Sequence, residues 1–332
     1  MGDGLQNEAL APAQKAIDAG RFGDALTLLQ AAAKAHPDNP DTYCLAGECL
    51  LRVGDHKAAL DAFQRAIKIK PDWAAPHLGT ARALLIDGDA HASMHTLLKV
   101  LSFAPQDVDA MRQLLGLLAR LQPEGYLSDL QPALLECFAH PDIDPSPLAK
   151  LCGQQLRLGI ADLMDAHDES LPDAVITNIA DGKLWRLYLS RVINTDPELE
   201  DLLTRLRRDL CLRSSIDAGE KNLVALIAAL AQQCFLNEYV FERSAAELAQ
   251  LTKIERVLDG CDGPSDAVAV AFAVSCSYRA PGLDATMLAL AEALAANHPW
   301  LGDLCRLTVF EPLEEAQLAE KLPVLHPVRD ET

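Results

Sequence analysis

Histidines and carboxylates in one short segment are the side chains of this sequence that suggest metal chemistry. His91 and His95 are four residues apart and would share one face of a helix, just after Asp87 and Asp89. Such a set could bind zinc or nickel. The same segment also fits an ordinary turn, Asp87-Gly88-Asp89, followed by the first residues of a helix. We favour this second interpretation and expect no metal site.

Nine cysteines are scattered along the chain without any CxxC pair, which is not the pattern of a disulfide framework. Most of them lie in apolar helical patterns, where a free cysteine behaves as a small hydrophobic residue. Cys234 and Glu238, at i and i+4, could form a catalytic pair. The amides of Gln232, Gln233 and Asn237 around them instead favour a buried structural cluster. We therefore expect no catalytic residue, no cofactor and no enzymatic activity for this chain alone.

A basic run consists of Arg205, Arg207, Arg208 and Arg213. It could bind a phosphate or an acidic partner. Because carboxylates such as Asp209 lie on the same predicted helix, we favour a solvent-exposed helix face whose charges are neutralised locally.

The overall charge argues against two classes of partner. With 29 basic and 48 acidic residues the net charge is −19, which disfavours nucleic acids and anionic membrane surfaces. Unpaired thiols and the absence of an apolar leader in the first ten residues favour a cytoplasmic protein. The longest apolar stretch, 223–231, is about half a membrane span. With 332 residues, half of them apolar, the chain has room for about two globular domains.

A repeat of 34 residues organises the first part of the chain. Prolines recur at 37, 71 and 105, and glycines at 20, 54 and 88. Each unit is predicted to consist of a helix, a turn containing glycine, a second helix and a proline that ends it.

The spacing and residue types resemble the tetratricopeptide repeat. The copy at 40–73 matches best, through Tyr43, Ala46, Gly47, Leu50, Ala59, Phe63, Ala66 and Pro71. Copies at 6–39 and 74–107 are weaker, the latter with His77 and Ser93 at usually apolar or small sites, and a degenerate pair is expected at 108–139. Residues 1–139 are therefore predicted to form a tetratricopeptide-repeat superhelix, with Tyr43 and Phe63 in its core.

The resemblance implies a groove lined by the first helix of each repeat. Mapping the usual groove positions onto this sequence gives Asn7, Leu10, Gln14, Asp41, Cys44, Glu48, Arg52, Leu78, Arg82 and Leu85. This mixture of apolar residues and charges of both signs suits an extended peptide or an amphipathic helix. It lacks the cationic clamp by which chaperone-binding repeats hold a C-terminal carboxylate. In the alternative interpretation, the repeats only pack against the rest of the chain.

Residues 140–332 are predicted to form an irregular helical domain without a sheet, beginning at the proline-rich segment 140–147. Helices are expected at 147–158, 183–194, 197–212, 221–242, 243–260, 265–279, 283–297 and 312–321. Asp196 precedes Pro197 as in a helix N-cap, and Ser244 with Glu247 fits a capping box. The run VAVAFAV (268–274) could be a strand, but its alanines favour a helix with Asp266 as cap.

Four segments of this second half, 196–211, 230–241, 271–282 and 308–328, resemble bacterial proteins that join N-terminal tetratricopeptide repeats to a C-terminal S-adenosylmethionine-dependent methyltransferase domain. The string QCFLNEYVF (233–241) is the most specific of them. The resemblance implies a non-catalytic front portion that recruits a protein substrate, with the catalytic domain beyond residue 332. The alternative is a stand-alone adaptor or scaffold without an associated enzyme.

Overall fold

The computed structural model describes residues 2–164, 170–213 and 215–321, and the regular elements in these ranges are all helical. The predicted all-α fold is confirmed for this part of the chain. Two compact units are present. The repeat unit extends to Gln122 and includes Pro132–Ile143, whereas the second unit comprises Pro123–Gln131 and the chain from Asp144 onward. The domain boundary proposed after Ala139 stays a prediction.

Helices in the first part of the chain follow one another in pairs. They are α1 (Gly2–Asp18), α2 (Phe22–Ala35), α3 (Pro40–Val53), α4 (His56–Ile69), α5 (Ala74–Ile86), α6 (Ala90–Phe103), α7 (Val108–Leu118) and α8 (Leu130–Ala139). From α1 to α7 each helix packs against the next, and the first helices α3, α5 and α7 also contact one another in turn. Helices α3, α5 and α7 therefore form a continuous layer.

Glycines in the left-handed conformation follow the first helix of each of the first three pairs. Gly20, Gly54 and Gly88 have φ values of 73°, 85° and 91°, which side chains with a Cβ rarely adopt. After Gly54, the carboxylate of Asp55 accepts a hydrogen bond from the backbone N–H of Ala58 at 3.1 Å and caps α4. The 34-residue glycine spacing thus reflects a turn that recurs with the same geometry.

Polar residues at two usually apolar or small sites of the third repeat are buried and hydrogen-bonded. A ring nitrogen of His77, Nε2, lies 2.7 Å from the carbonyl oxygen of Pro71. The hydroxyl of Ser93 donates to the carbonyl of Ala81 at 2.8 Å. Because both groups have partners, the helix pair forms despite its departure from the usual pattern.

The second unit is built around one helix. Its helices are α9 (Ala149–Leu158), α10 (Asp173–Asp181), α11 (Lys183–Arg191), α12 (Pro197–Leu212), α13 (Lys221–Leu236), α14 (Ala245–Asp259), α15 (Asp266–Cys276), α16 (Ala285–Asn297), α17 (Gly302–Cys305) and α18 (Glu311–Lys321). A π-helical turn, Arg306–Phe310, joins α17 to α18. α13 contacts α10, α11, α12, α15 and α17. Apolar residues lie on all its sides, as expected of a helix enclosed by others.

The second unit differs from the prediction in several places, including the ends of the helices expected at 183–194 and 265–279. α10 was not predicted. The helix expected at 221–242 ends at Leu236, because Glu238 and Tyr239 adopt left-handed φ values of 53° and 58°. The run 268–274 is helical as predicted, but the hydroxyl of Ser265, not Asp266, caps α15 by accepting from the Val268 N–H.

Candidate functional site

The predicted groove residues divide into an accessible set and a buried set. We call the accessible set the groove surface; it comprises Gln14, Asp41, Glu48, Arg52, Arg82 and Leu85, which are exposed or half-buried. Leu10, Cys44 and Leu78 occupy the same position of successive repeats and are buried. Their side chains therefore contribute packing beneath the groove surface. Asn7 lies outside the residues whose side chains the structure describes.

Glu48 and Arg82 form an ion pair between successive first helices. They occupy the same position of the second and third repeats, 34 residues apart, and a guanidinium nitrogen of Arg82 donates to Oε1 of Glu48. Their side chains are 35% and 45% exposed, so solvent screens the pair and its contribution to stability is small. The pair links α3 to α5.

Charged residues of the groove surface affect the pKa of the buried Cys44 thiol. Burial, followed by the carboxylates of Glu48 and Asp41, raises the pKa of Cys44 to about 12, and Arg82 opposes them. Cys44 is therefore a neutral thiol at physiological pH. Glu48, Asp41 and Arg82 are therefore all close enough to Cys44 to affect its pKa.

Two other members of the groove surface, Arg52 and Gln14, contact side chains nearby. The guanidinium of Arg52 lies 6.0 Å from the centre of the Phe22 ring of α2, within the range of a cation–π interaction. The amide of Gln14 donates to Asp18 at 3.0 Å. Leu85 is the apolar member of the groove surface, and its other five members are polar or charged.

His91 and His95 do share a helix face. Their Nε2 atoms are 3.1 Å apart, and both side chains are exposed on α6. The carboxylate of Asp89 is engaged as the cap of this helix, accepting from the Ala92 N–H at 2.9 Å. The expectation of no metal site stays a prediction.

Cys234 and Glu238 do not form a catalytic pair. Cys234 is fully buried in α13, and burial raises the pKa of its thiol to about 12. Glu238 lies beyond the end of the helix and is exposed. The amide of Gln233, oriented with its nitrogen toward the carbonyls of Leu189 and Val192, lies 3.2 and 2.9 Å from them. This supports the interpretation of the segment as a structural cluster.

Arg207 is buried, so the basic run is not a solvent-exposed face as expected. Its guanidinium lies 3.2 Å from Oε1 of Glu247, donates to the carbonyl of Glu242, and sits 4.4 Å from the centre of the Tyr278 ring. The hydroxyl of Tyr278 donates to the same Glu247 oxygen at 2.6 Å. The side chains of Arg207 and Glu247 are 1% and 3% exposed. We call Arg207, Glu247 and Tyr278 the buried triad.

Glu247 remains a carboxylate inside this triad. Burial acts to raise its pKa, but the hydrogen bonds from Tyr278 and Ser244, together with the charge of Arg207, lower the pKa below its ordinary value of 4.5. Glu247 also forms the predicted capping box, with its Oε2 accepting from the Ser244 N–H at 2.7 Å. The capping role was readable from sequence, whereas its pairing with Arg207 was not.

Two other members of the basic run have acidic neighbours. Nε of Arg208 lies 3.2 Å from Asp209, as expected from local neutralisation. Arg213 pairs with Asp173 of α10 at 2.6 Å. Arg207 therefore belongs to the buried triad, whereas Arg208 and Arg213 form separate ion pairs.

Comparison with known proteins supports the repeat. A family model described as tetratricopeptide repeat matches residues 10–76. Over 94 residues the chain is 33% identical to DnaJ homolog subfamily C member 3 of Rattus norvegicus and 32% identical to the protein of that name from Homo sapiens. The match covers 28% of this chain but 19% of each relative, so the chain spans about a fifth of these relatives.

Residues 10–76 are thus similar to the tetratricopeptide repeat, in which helix pairs stack into extended concave surfaces. The resemblance to methyltransferase-linked proteins gains no support from these matches. Within the described residues, no helix has both the length and the apolar character needed to cross a membrane.

Proposed function

We propose that the repeat unit binds a segment of a partner protein along the groove surface. The observation that carries this proposal is the Glu48–Arg82 pair. It places opposite, solvent-accessible charges at one position of adjacent first helices, beside half-buried Leu85. A stacked-helix surface of this kind suits an extended peptide or an amphipathic helix with charges of both signs.

The partner is proposed to be a protein and neither a nucleic acid nor a membrane. A net charge of −19 supports this choice, since phosphate backbones and anionic lipids require a basic footprint. The two basic residues of the groove surface, Arg52 and Arg82, are balanced by Asp41 and Glu48. The surface therefore does not form a cationic patch.

At a finer level, we propose that this chain is the recruiting portion of a protein methyltransferase whose catalytic domain lies beyond residue 332. Support comes from the similarity of the segments at 196–211, 230–241, 271–282 and 308–328; residues 322–328 lie outside those that the structure describes. The alternative is a stand-alone adaptor or scaffold. Reading the gene beyond the codon for Thr332 separates the two, because a methyltransferase requires a strand, a glycine-rich turn and a helix there.

Photocrosslinking tests the location of the groove. Peptides are first selected from a random library on the full chain, and a photoreactive residue is then introduced at Gln14, Arg52 or Lys68. We expect crosslinks from Gln14 and Arg52, on first helices, and none from Lys68, which is exposed on the second helix α4. Crosslinking from Lys68 alone, or failure of the library to yield a binder, would contradict the proposed groove.

A further inference from the structure

A cavity of about 310 Å³ lies between α12, α14 and α15 in the second unit. Its volume is in the range of small-ligand sites, roughly 300–1,000 Å³. The walls are mainly aliphatic, and the side chains that form them are Leu210, Ile216, Ile254, Val257, Val270 and Val274. An interior of this kind accepts an alkyl or aryl group.

The charged residues that line this cavity are both basic. Arg213 and Lys253 contribute to its lining, and among its described lining residues there is no aspartate or glutamate. This is a marked local departure in a chain with 48 acidic and 29 basic residues. The cavity thus combines an apolar interior with two cations, which is complementary to a molecule that has an apolar body and an anionic group.

Both cations are able to engage a ligand. The ammonium of Lys253 donates to the neutral amide of Gln250 at 3.2 Å. Arg213 pairs with Asp173, whose side chain is 92% exposed, and such an exposed carboxylate contributes little to stability. A ligand carboxylate could therefore replace Asp173 with a two-pronged hydrogen bond of the kind guanidinium groups favour.

We propose that this cavity binds a small amphipathic carboxylate, with its hydrocarbon part between α12, α14 and α15 and its carboxylate between Arg213 and Lys253. The site is separate from the groove surface, because all the residues that form it belong to the second unit. Its occupation would stabilise the packing of the three helices, since a ligand that binds only the folded state raises the free energy of unfolding.

Calorimetric titration of the full chain with octanoate tests the proposal. Octanamide, of the same length but uncharged, and acetate, charged but without the tail, are titrated in parallel. We expect octanoate to bind measurably and each of the other two to bind about tenfold more weakly or not at all. Equal binding of octanamide and octanoate would overturn the role of the cations, and equal binding of acetate would overturn that of the apolar walls.

Three variants locate the site. Lys253→Gln removes one cation and should weaken octanoate binding about tenfold while leaving octanamide unchanged. Ala267→Trp fills the cavity from an exposed position on α15 and should abolish binding. Lys150→Gln, an exposed lysine of α9, is the matched control and should bind like the parent chain. Unchanged affinity in both cavity variants, with unaltered circular dichroism, would overturn the proposal.

Vesicles containing phosphatidylglycerol distinguish a free ligand from a lipid surface. If the ligand is a free amphiphile, octanoate should bind in the absence of vesicles. The chain should then not cosediment with the vesicles. Cosedimentation that depends on Lys253, without any binding of free octanoate, would overturn the proposal in favour of a membrane contact.

Discussion

The ring of Phe63 occupies the space that a side chain at Gly79 would need. A Cβ added at Gly79 would lie 2.3 Å from Cζ of Phe63, and one added at Gly47 would lie 2.5 Å from Cε1 of the same ring. Phe63 is fully buried. The two glycines let α3 and α5 approach α4 closely. The third repeat therefore needs glycine at position 79 because of Phe63 in the second repeat.

Gly79→Ala should therefore destabilise the chain. Overpacking of a well-filled core costs about 1–3 kcal/mol, and an aromatic ring enclosed between two helices has little freedom to move. Gly116→Ala is the matched control, because Gly116 lies within α7 with no atom near its prospective Cβ. It should stabilise by up to about 1 kcal/mol through helix propensity. Urea unfolding measures both, and the same sign for the two variants would contradict the packing described.

Phe63→Ala should cost about 3–5 kcal/mol, as expected when a large buried ring is removed. The ring lies in a cluster with Cys44, Ala59 and Ala66, small residues with little ability to fill the resulting cavity. Denaturant unfolding followed by circular dichroism gives the value. A loss of less than about 1 kcal/mol would mean that the assigned repeat register is wrong.

Glu238→Gly should stabilise the second unit. After α13, the N–H of Tyr239 donates to the carbonyl of Cys234 at 2.9 Å and that of Glu238 to the carbonyl of Phe235 at 3.0 Å, the hydrogen-bond pattern of a Schellman motif. Glycine is the usual residue where Glu238 has φ of 53°. Relief of this strain is worth about 1 kcal/mol.

We expect Glu238→Gly to raise the midpoint temperature of thermal unfolding, which measures this effect. Glu292→Gly, at an exposed position within α16, is the control and should lose about 1 kcal/mol. A decrease for both variants would show that the left-handed conformation at Glu238 carries no strain.

Glu247→Gln should destabilise the chain by about 3–5 kcal/mol at neutral pH, because Arg207 then remains buried without its carboxylate. The folded-state pKa of Glu247 is depressed. Its contribution is therefore complete above the unfolded-state value of 4.5 and is lost as pH falls through the folded-state pKa.

Urea unfolding between neutral and acidic pH should show the difference between parent and Glu247→Gln shrinking below pH 4.5. Glu292→Gln, at an exposed site, is the control variant. A difference that stays constant through the acid range would mean that the triad does not hold Glu247 ionised.

Local sequence signals predicted the repeat unit better than the second unit. Each repeat needs only contacts within about one period, so the glycine spacing and the positions of Phe63 and Ala66 specify it. In the buried triad, Arg207 pairs with Glu247, which is 40 positions further along the chain, and Glu247 with Tyr278, which is another 31 positions on. No local pattern encodes such pairings.

One local signal for Arg207 was nevertheless available. Leu203 precedes it by four residues and Leu210 follows it by three, so Arg207 lies on the apolar stripe of α12. Its charge favoured an exposed position, but a carboxylate and two aromatic rings from distant parts of the chain offset the cost of burial. Position on the apolar stripe, more than charge, therefore separates Arg207 from Arg208 and Arg213.

Arg82→Ala should weaken binding of a groove-selected peptide by about tenfold or more, because removing one partner of a charge pair enclosed at an interface costs roughly 2–5 kcal/mol. The free chain should keep its unfolding midpoint, since the Glu48–Arg82 pair is substantially exposed and contributes little to stability. Lys68→Ala on the second helix α4, and Arg208→Ala in the second unit, should change the affinity little at physiological salt. Fluorescence anisotropy of the labelled peptide measures all three variants. A larger effect of Arg208→Ala than of Arg82→Ala would move the binding site into the second unit and leave the repeats as a packing scaffold.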